Sequence, residues 1–266
     1  LSQPPAKKTA ETKDVVKYDY GQFQGQGYEG QSNEDVMIPL LNLLQPLSPE
    51  VQENDPKYVK DAKPGMMMNS VTGALYKELV FTPVMTQHRF VEWVPRAAGG
   101  GFRGVRPPDD PVVTAARAAA TEFGKYMVPT EPGKTGNELK ETFYVYAVTD
   151  DLGFIVIPFS STKIKVYKRF NTSLRMFTLV DAEGNEMKPP LFAHRLKLTT
   201  RSEENQKGKY YNFVVEPLRG SIMESLQRPG DPMFQAAIEC RKMVEAGTAQ
   251  AAYHTESETS DDNVPF

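Results

Sequence analysis

Cations and aromatic rings alternate along several extended stretches of this chain, and that pairing is the chemistry of holding unpaired nucleic acid. Tyr144 and Tyr146 share one face of a period-two run; Arg195, Lys197 and Arg201 share another. Lys209 and Tyr210 lie in the segment that would pair with the second run. Arg89 and Trp93 fall on one face of residues 89–93, Arg96 follows them, and Arg103 stands in the glycine-rich stretch 99–104. Lys165, Lys168, Arg169 and Arg175 recur at helical spacing, opposite an apolar stripe of Ile164, Tyr167, Phe170, Leu174 and Phe177. Cations track phosphates, while ring faces stack on bases and contribute ~1–3 kcal/mol per base. Each feature also has a plainer reading: rings pack in cores, and a cationic helix face can be a solvated surface.

Other chemistries find less support. Gly99, Gly101 and Gly104 reproduce the spacing of a dinucleotide fingerprint, but Arg106, Pro107 and Pro108 follow where a helix would have to begin. Arg103 and Arg106 in a mobile loop against a phosphate backbone is the more natural use, beside that of a plain loop. Gly133, Lys134 and Thr135 resemble the end of a P-loop without its earlier glycine, strand or helix. The single cysteine, Cys240, falls inside an amphipathic helical pattern and reads as packed. Three histidines lie far apart, so neither a zinc site nor a metal centre is expected. No nucleophile–base set stands out; the expectation is a non-enzymatic protein without cofactors.

Charge is unevenly spread. The formal net charge is −3, yet residues 160–219 hold twelve Lys and Arg against six Asp and Glu. Residues 254–266 hold four acids and no Lys or Arg, and finish in Asp261, Asp262, Asn263, Val264, Pro265 and Phe266. Such a stretch cannot build a core and reads as a solvated acidic tail with one apolar tip. A basic body with an acidic terminus suits a nucleic-acid binder whose tail competes for its own groove.

The elements that must position these residues are mostly strands. Residues 1–35 read as a flexible arm, with Tyr18, Tyr20, Phe23 and Tyr28 set in a Gly/Gln tract. Residues 36–247 read as one domain and 248–266 as the tail. Strand material is expected over 75–94, over 142–148 and over 154–157 after a turn at 150–153, with the last of these central and covered. A long hairpin is expected with arms at 192–201 and 209–215. Helices are expected at 110–123, opened by Asp110 and Pro111; at 162–178; and at 231–246, opened by Asp231 and Pro232. The fold class is therefore α+β with a β-rich core, three helices and disordered termini. No run of apolar residues is long enough for a membrane span and no apolar leader is visible, so a cytoplasmic protein of a bacterial host cell is expected.

The six residues 261–266 closely resemble the C-terminal tip of bacterial single-stranded-DNA-binding proteins, an Asp-Asp-x-Ile/Val-Pro-Phe ending. Together with the basic β segments, and with the stretches 63–73, 90–96 and 99–101, the chain resembles bacteriophage-type single-stranded-DNA-binding proteins. The resemblance implies an OB-like barrel, here elaborated by the three helices. It implies binding of single-stranded DNA without sequence preference, in replication, recombination or transcription. It also implies that Asp261, Asp262, Val264, Pro265 and Phe266 dock on replication, repair or transcription proteins. Self-association on DNA stays open. A virion or assembly protein is the alternative of a different class, and a DNA-processing nuclease a third.

Overall fold

The computed structural model describes residues 26–27, 37–131, 134–181, 183–206, 208–247 and 250–251, with the backbone alone for Arg96 and Gln250. Two compact units are distinguished, residues 1–32 and 33–266. In the first, the described residues are the exposed pair Gln26 and Gly27, in a turn where Gly27 takes a φ of 91°. The second holds everything below. Apart from Gln26 and Gly27, and from Gln250 and Ala251, which pair in parallel with Met37 and Ile38, the expected arm and tail lie outside the described residues.

Strands in chain order are β1 (Met37–Ile38), β2 (Leu41–Leu43), β3 (Met67–Asn69), β4 (Leu75–Tyr76), β5 (Leu79–Trp93), β6 (Phe102–Arg106), β7 (Tyr126–Met127), β8 (Glu138–Thr149) and β9 (Phe154–Ser160). They continue with β10 (Leu179–Val180), β11 (Glu186–Met187), β12 (Leu196–Asn205), β13 (Gly208–Pro217) and β14 (Gln250–Ala251). The helices are α1 (Pro111–Ala119), α2 (Lys163–Met176) and α3 (Pro232–Glu245). None is long and apolar enough to cross a membrane. The fold is mixed α+β, as the residue patterns require.

The main sheet has seven strands in the order β13-β12-β5-β8-β7, with β6 beside the far half of β5 and β9 beside the far half of β8. All of its pairs are antiparallel. No pairing joins β13 to β7 or β9 among the described residues, so the strands form an open sheet there rather than the implied barrel. The centre is β5 and β8, paired from Phe81 opposite Thr149 to Trp93 opposite Glu138. Residues 75–94 divide into the short β4 and the fifteen-residue β5. One long strand runs through Pro83, and a bulge between Pro83 and Met85 absorbs the residue that lacks a ladder partner.

β8 is buried on both faces from Tyr144 onward, and its alternation assigns them. Val145 and Ala147 join Ile157, Phe159, Phe81 and Leu198 beneath Tyr167, Phe170 and Leu174 of α2. Further along that face, Leu139 and Phe90 meet Val113 and Ala116 of α1. Tyr144, Tyr146 and Val148 point the other way, with Val84, Val91 and Trp93, against Met233, Ala237 and Cys240 of α3. The result is three layers: α1 and α2, the sheet, then α3.

Local signals explain the helix starts. The Asp110 side chain accepts from the Val112 amide at 2.7 Å, with Pro111 at the first helical position. α3 begins at Pro232 after Asp231, whose carboxylate instead accepts from the Arg228 amide. α2 begins behind Thr162 without a side-chain cap. Beyond the hairpin lies a small sheet, β2-β3-β4. Its approach requires Gly65: a φ of +87° and an imagined Cβ only 2.4 Å from the Tyr211 ring both demand a residue without a side chain. Gln45 then closes the outer edge of β13, its amide exchanging two hydrogen bonds with the Tyr211 backbone at 2.9 and 3.0 Å. That pairing blunts an edge that could otherwise recruit a stray strand.

Candidate nucleic-acid interface

Five Lys and Arg and no acid occupy the fourteen residues of α2. The helix is anchored by its apolar side: Tyr167 stacks on Phe143 at 4.5 Å between ring centroids, and Phe170 leans on Phe159 at 5.6 Å. Lys163 is drawn into this layer, its ammonium 5.7 Å from the Phe213 ring centroid. Lys165, Lys168, Arg169 and Arg175 are exposed on the outer side. They form no ion pair among the described residues. Positions 165, 168, 169 and 175 follow one flank of the helix over about 15 Å. That is a cationic ridge without an ion pair among the described residues.

At the α1 end the ridge meets a second group. His88 Nε2 lies 2.9 Å from Glu141 Oε1, and the His88 ring stacks on Phe143 at 4.3 Å. Lys168 hangs over the other contact of that ring, 5.9 Å from the Phe143 centroid. The hydrogen bond from His88 holds the Glu141 carboxyl below its ordinary range, and the charges of Lys168 and Arg117 lower it further. Arg117, on α1, is exposed and adds a cation that residue spacing did not single out. It stands more than forty positions from α2, and only the shared sheet face brings the two together.

The hairpin cations are placed differently. Arg195 pairs with Asp150, Arg201 pairs with Glu203 at 2.6 Å, and Lys197 and Lys209 stand opposite Glu216 and Glu204 in the ladder. Each cation of the expected basic strip thus has an acid bonded to it or opposite it in the ladder. Arg103 is exposed on β6, whereas Arg106 is engaged by Glu92 at 2.6 Å and Asp110 at 3.2 Å. Residues 102–106 are therefore a paired strand and not a mobile loop. Arg89 is half-buried and donates to the His88 carbonyl. Arg96 lies in a short turn of 3-10 helix.

The expected stacking rings are corrected outright. Tyr144 is 0 % and Tyr146 2 % exposed, covered by α3, and Trp93 packs edge-on against Phe102 in the same layer. Tyr210 is buried and donates from its hydroxyl to Glu203 at 2.7 Å. Burial alone would raise Glu203, but hydrogen bonds from Tyr210, Asn212 and Arg201 outweigh it and leave the carboxyl below its usual range. These four rings belong to the core and cannot meet a base in this conformation. Asp261, Asp262, Val264, Pro265 and Phe266 lie outside the described residues.

Two further titratable groups are buried. Burial pushes the Cys240 thiol up to about 12, which leaves it unreactive. Burial pushes His194 down to about 4 from 6.5, so the imidazole is neutral at pH 7. The unfolded chain takes up this proton near pH 6.5, whereas the folded protein resists until near 4. The stabilising effect is complete above 6.5 and lost as pH falls towards 4. Between pH 7.5 and 4.5 the loss is about 2–3 kcal/mol. Urea unfolding across that range, compared with His194→Gln, measures it: the variant's profile should be flatter by that amount. Parallel profiles would show that His194 titrates normally.

A sequence model of the family described as Pam3 phage gp34-like protein matches residues 7–250. No curated protein matches, and no solved structure does.

Proposed function

The chain belongs to the Pam3 phage gp34-like protein family, and on that premise we propose that this bacteriophage protein binds single-stranded DNA without sequence preference. The ridge of Lys165, Lys168, Arg169 and Arg175 carries the reading: four exposed cations on one acid-free helix, none of them in an ion pair among the described residues. Contacts to phosphates are then the main source of affinity, and such contacts carry no sequence information. Stacking would come from Tyr18, Tyr20, Phe23 and Tyr28 of the arm, since the sheet rings are core. The acidic tip with Val264, Pro265 and Phe266 recruits partner proteins of replication, repair or transcription. The protein acts as a binder and not as an enzyme.

Fluorescence titration with a labelled oligodeoxythymidine, and with a duplex of the same length, tests this. Single-strand binding should be the tighter, with affinity falling steeply as salt rises. Deleting residues 261–266 should leave that affinity equal or higher, because a competing acidic segment is gone, while capture of partners is abolished. Indifference to single strands in dilute buffer would overturn the reading. A virion or assembly role has one observation of its own: Met176, Val180 and Met187 are exposed at 76 %, 68 % and 48 %. That role predicts oligomers without DNA.

A further inference from the structure

We propose that the cavity beneath the C-terminal half of α2 is a binding site for a phosphate-type oxyanion, held between Arg175 and Lys188. The cavity is half open to solvent and has a volume of about 570 Å³. Thr86 of β5 forms one wall, Asn171 and Arg175 of α2 another, and Lys188, just past β11, a third. His194 lies among the lining residues as well.

Three observations point to a ligand. The first is charge. Two cations from separate elements meet here, no Asp or Glu lines the space, and neither cation forms an ion pair among the described residues. Two like charges lining one space without a counter-charge favour an anion between them. A second cavity shows the contrast. It gathers Arg195, Arg219 and Arg228 but also Glu224 and Asp231, and Arg195 is held by Asp150 outside it, so its cations have acids to match.

The second is the polar complement. The Thr86 hydroxyl and the Asn171 amide make no side-chain hydrogen bond among the described residues, and both can donate to phosphate oxygens. The third is His194. The residue is 1 % exposed, and its Nδ1 has no hydrogen-bond partner. Buried polar atoms are paired in the great majority of cases, so an orphan at a cationic cavity marks a place where a partner is expected. The C-terminal end of α2 carries the negative pole of its helix and opposes an anion weakly, which the two full charges outweigh.

Volume narrows the class. A lone phosphate leaves most of 570 Å³ empty, while the space suits a ligand of nucleotide size. The phosphate can belong to a free nucleotide or to the end of a DNA strand. The site does not depend on the DNA-binding role of the ridge.

The test uses the full chain in phosphate-free buffer at constant ionic strength. Inorganic phosphate, thymidine 5′-monophosphate and thymidine are titrated separately while the imidazole resonances are followed by NMR. The monophosphate should shift the His194 resonance and leave that of His88 in place, while thymidine is silent. Lys188 is exposed, so Lys188→Gln should fold normally yet bind the monophosphate about tenfold more weakly. No response to phosphate or monophosphate at millimolar concentration overturns the proposal, as does equal affinity in Lys188→Gln. Oligodeoxythymidines with a 5′-phosphate or a 5′-hydroxyl separate the sources. Preference for the phosphorylated strand assigns the strand end, and equal binding beside a monophosphate response assigns the free nucleotide. A protein that ignores oligonucleotides but responds to the monophosphate loses the ridge reading and keeps this site.

Discussion

Replacing Lys165, Lys168 and Arg169 together by Ala is expected to weaken single-stranded-DNA binding on the order of 100-fold at fixed salt. The figure follows from three exposed charge-assisted contacts at roughly 1 kcal/mol each, below the range for better buried ones. The salt dependence carries a sharper signature. Each phosphate contact on a single strand contributes about 0.7 to the slope of log affinity against log salt, so the triple variant should lose about 2 from that slope. Folding should not change. The three side chains are exposed, Ala is the best helix former, and the buried face of α2 through Tyr167, Phe170 and Leu174 is untouched. Arg201→Ala is the matched control, because its guanidinium is already held by Glu203, and its effect should stay within about threefold. Wild-type affinity with an unchanged slope in the triple variant would remove α2 as the phosphate track.

Much of what positions the ridge is written locally. Asp110 with Pro111, and Asp231 with Pro232, mark two helix starts within one residue, because a cap and a proline act on their own turn. The 3.6-residue stripe of Tyr167, Phe170 and Leu174 identifies both the buried side of α2 and, by exclusion, its cationic side. Alternation in β8 also separates Phe143, Val145 and Ala147 correctly from Tyr144, Tyr146 and Val148. What alternation cannot supply is the identity of the cover. Tyr144 lies in an alternating run and so resembles a half-exposed ring, yet α3, some ninety residues later, closes over it. The same limit hides the pairing of the hairpin cations: Arg195 meets Asp150 across forty-five positions. It hides Lys188 too, which belongs to no periodic pattern and joins Arg175 only through the fold. The bulge in β5 between Pro83 and Met85 exchanges inward and outward residues within one strand, which strict period-two reading does not reveal.

Tyr146→Ala provides the second large effect, and it separates core from stacking platform. The side chain is 2 % exposed between β8 and α3, with Val84, Val148 and Met233 in the same cluster. Truncating a buried aromatic ring to Ala removes its burial and leaves a cavity, at a cost of about 3–5 kcal/mol. Domains of this kind are stable by only about 5–15 kcal/mol, so the variant should unfold at markedly lower urea and lose DNA binding only in proportion to the unfolded fraction. Tyr146→Phe isolates the hydroxyl. Its hydrogen bond to Gln87 spans 3.4 Å, long enough to be weak, so the loss should stay under about 1 kcal/mol and leave DNA affinity as it was. Under a stacking role the order reverses: Tyr146→Ala would keep its urea midpoint and lose affinity by the ~1–3 kcal/mol of one stacked base. Paired urea melts and oligonucleotide titrations on the two variants distinguish these cases, because a ring sealed beneath α3 acts on stability first and on binding only through it.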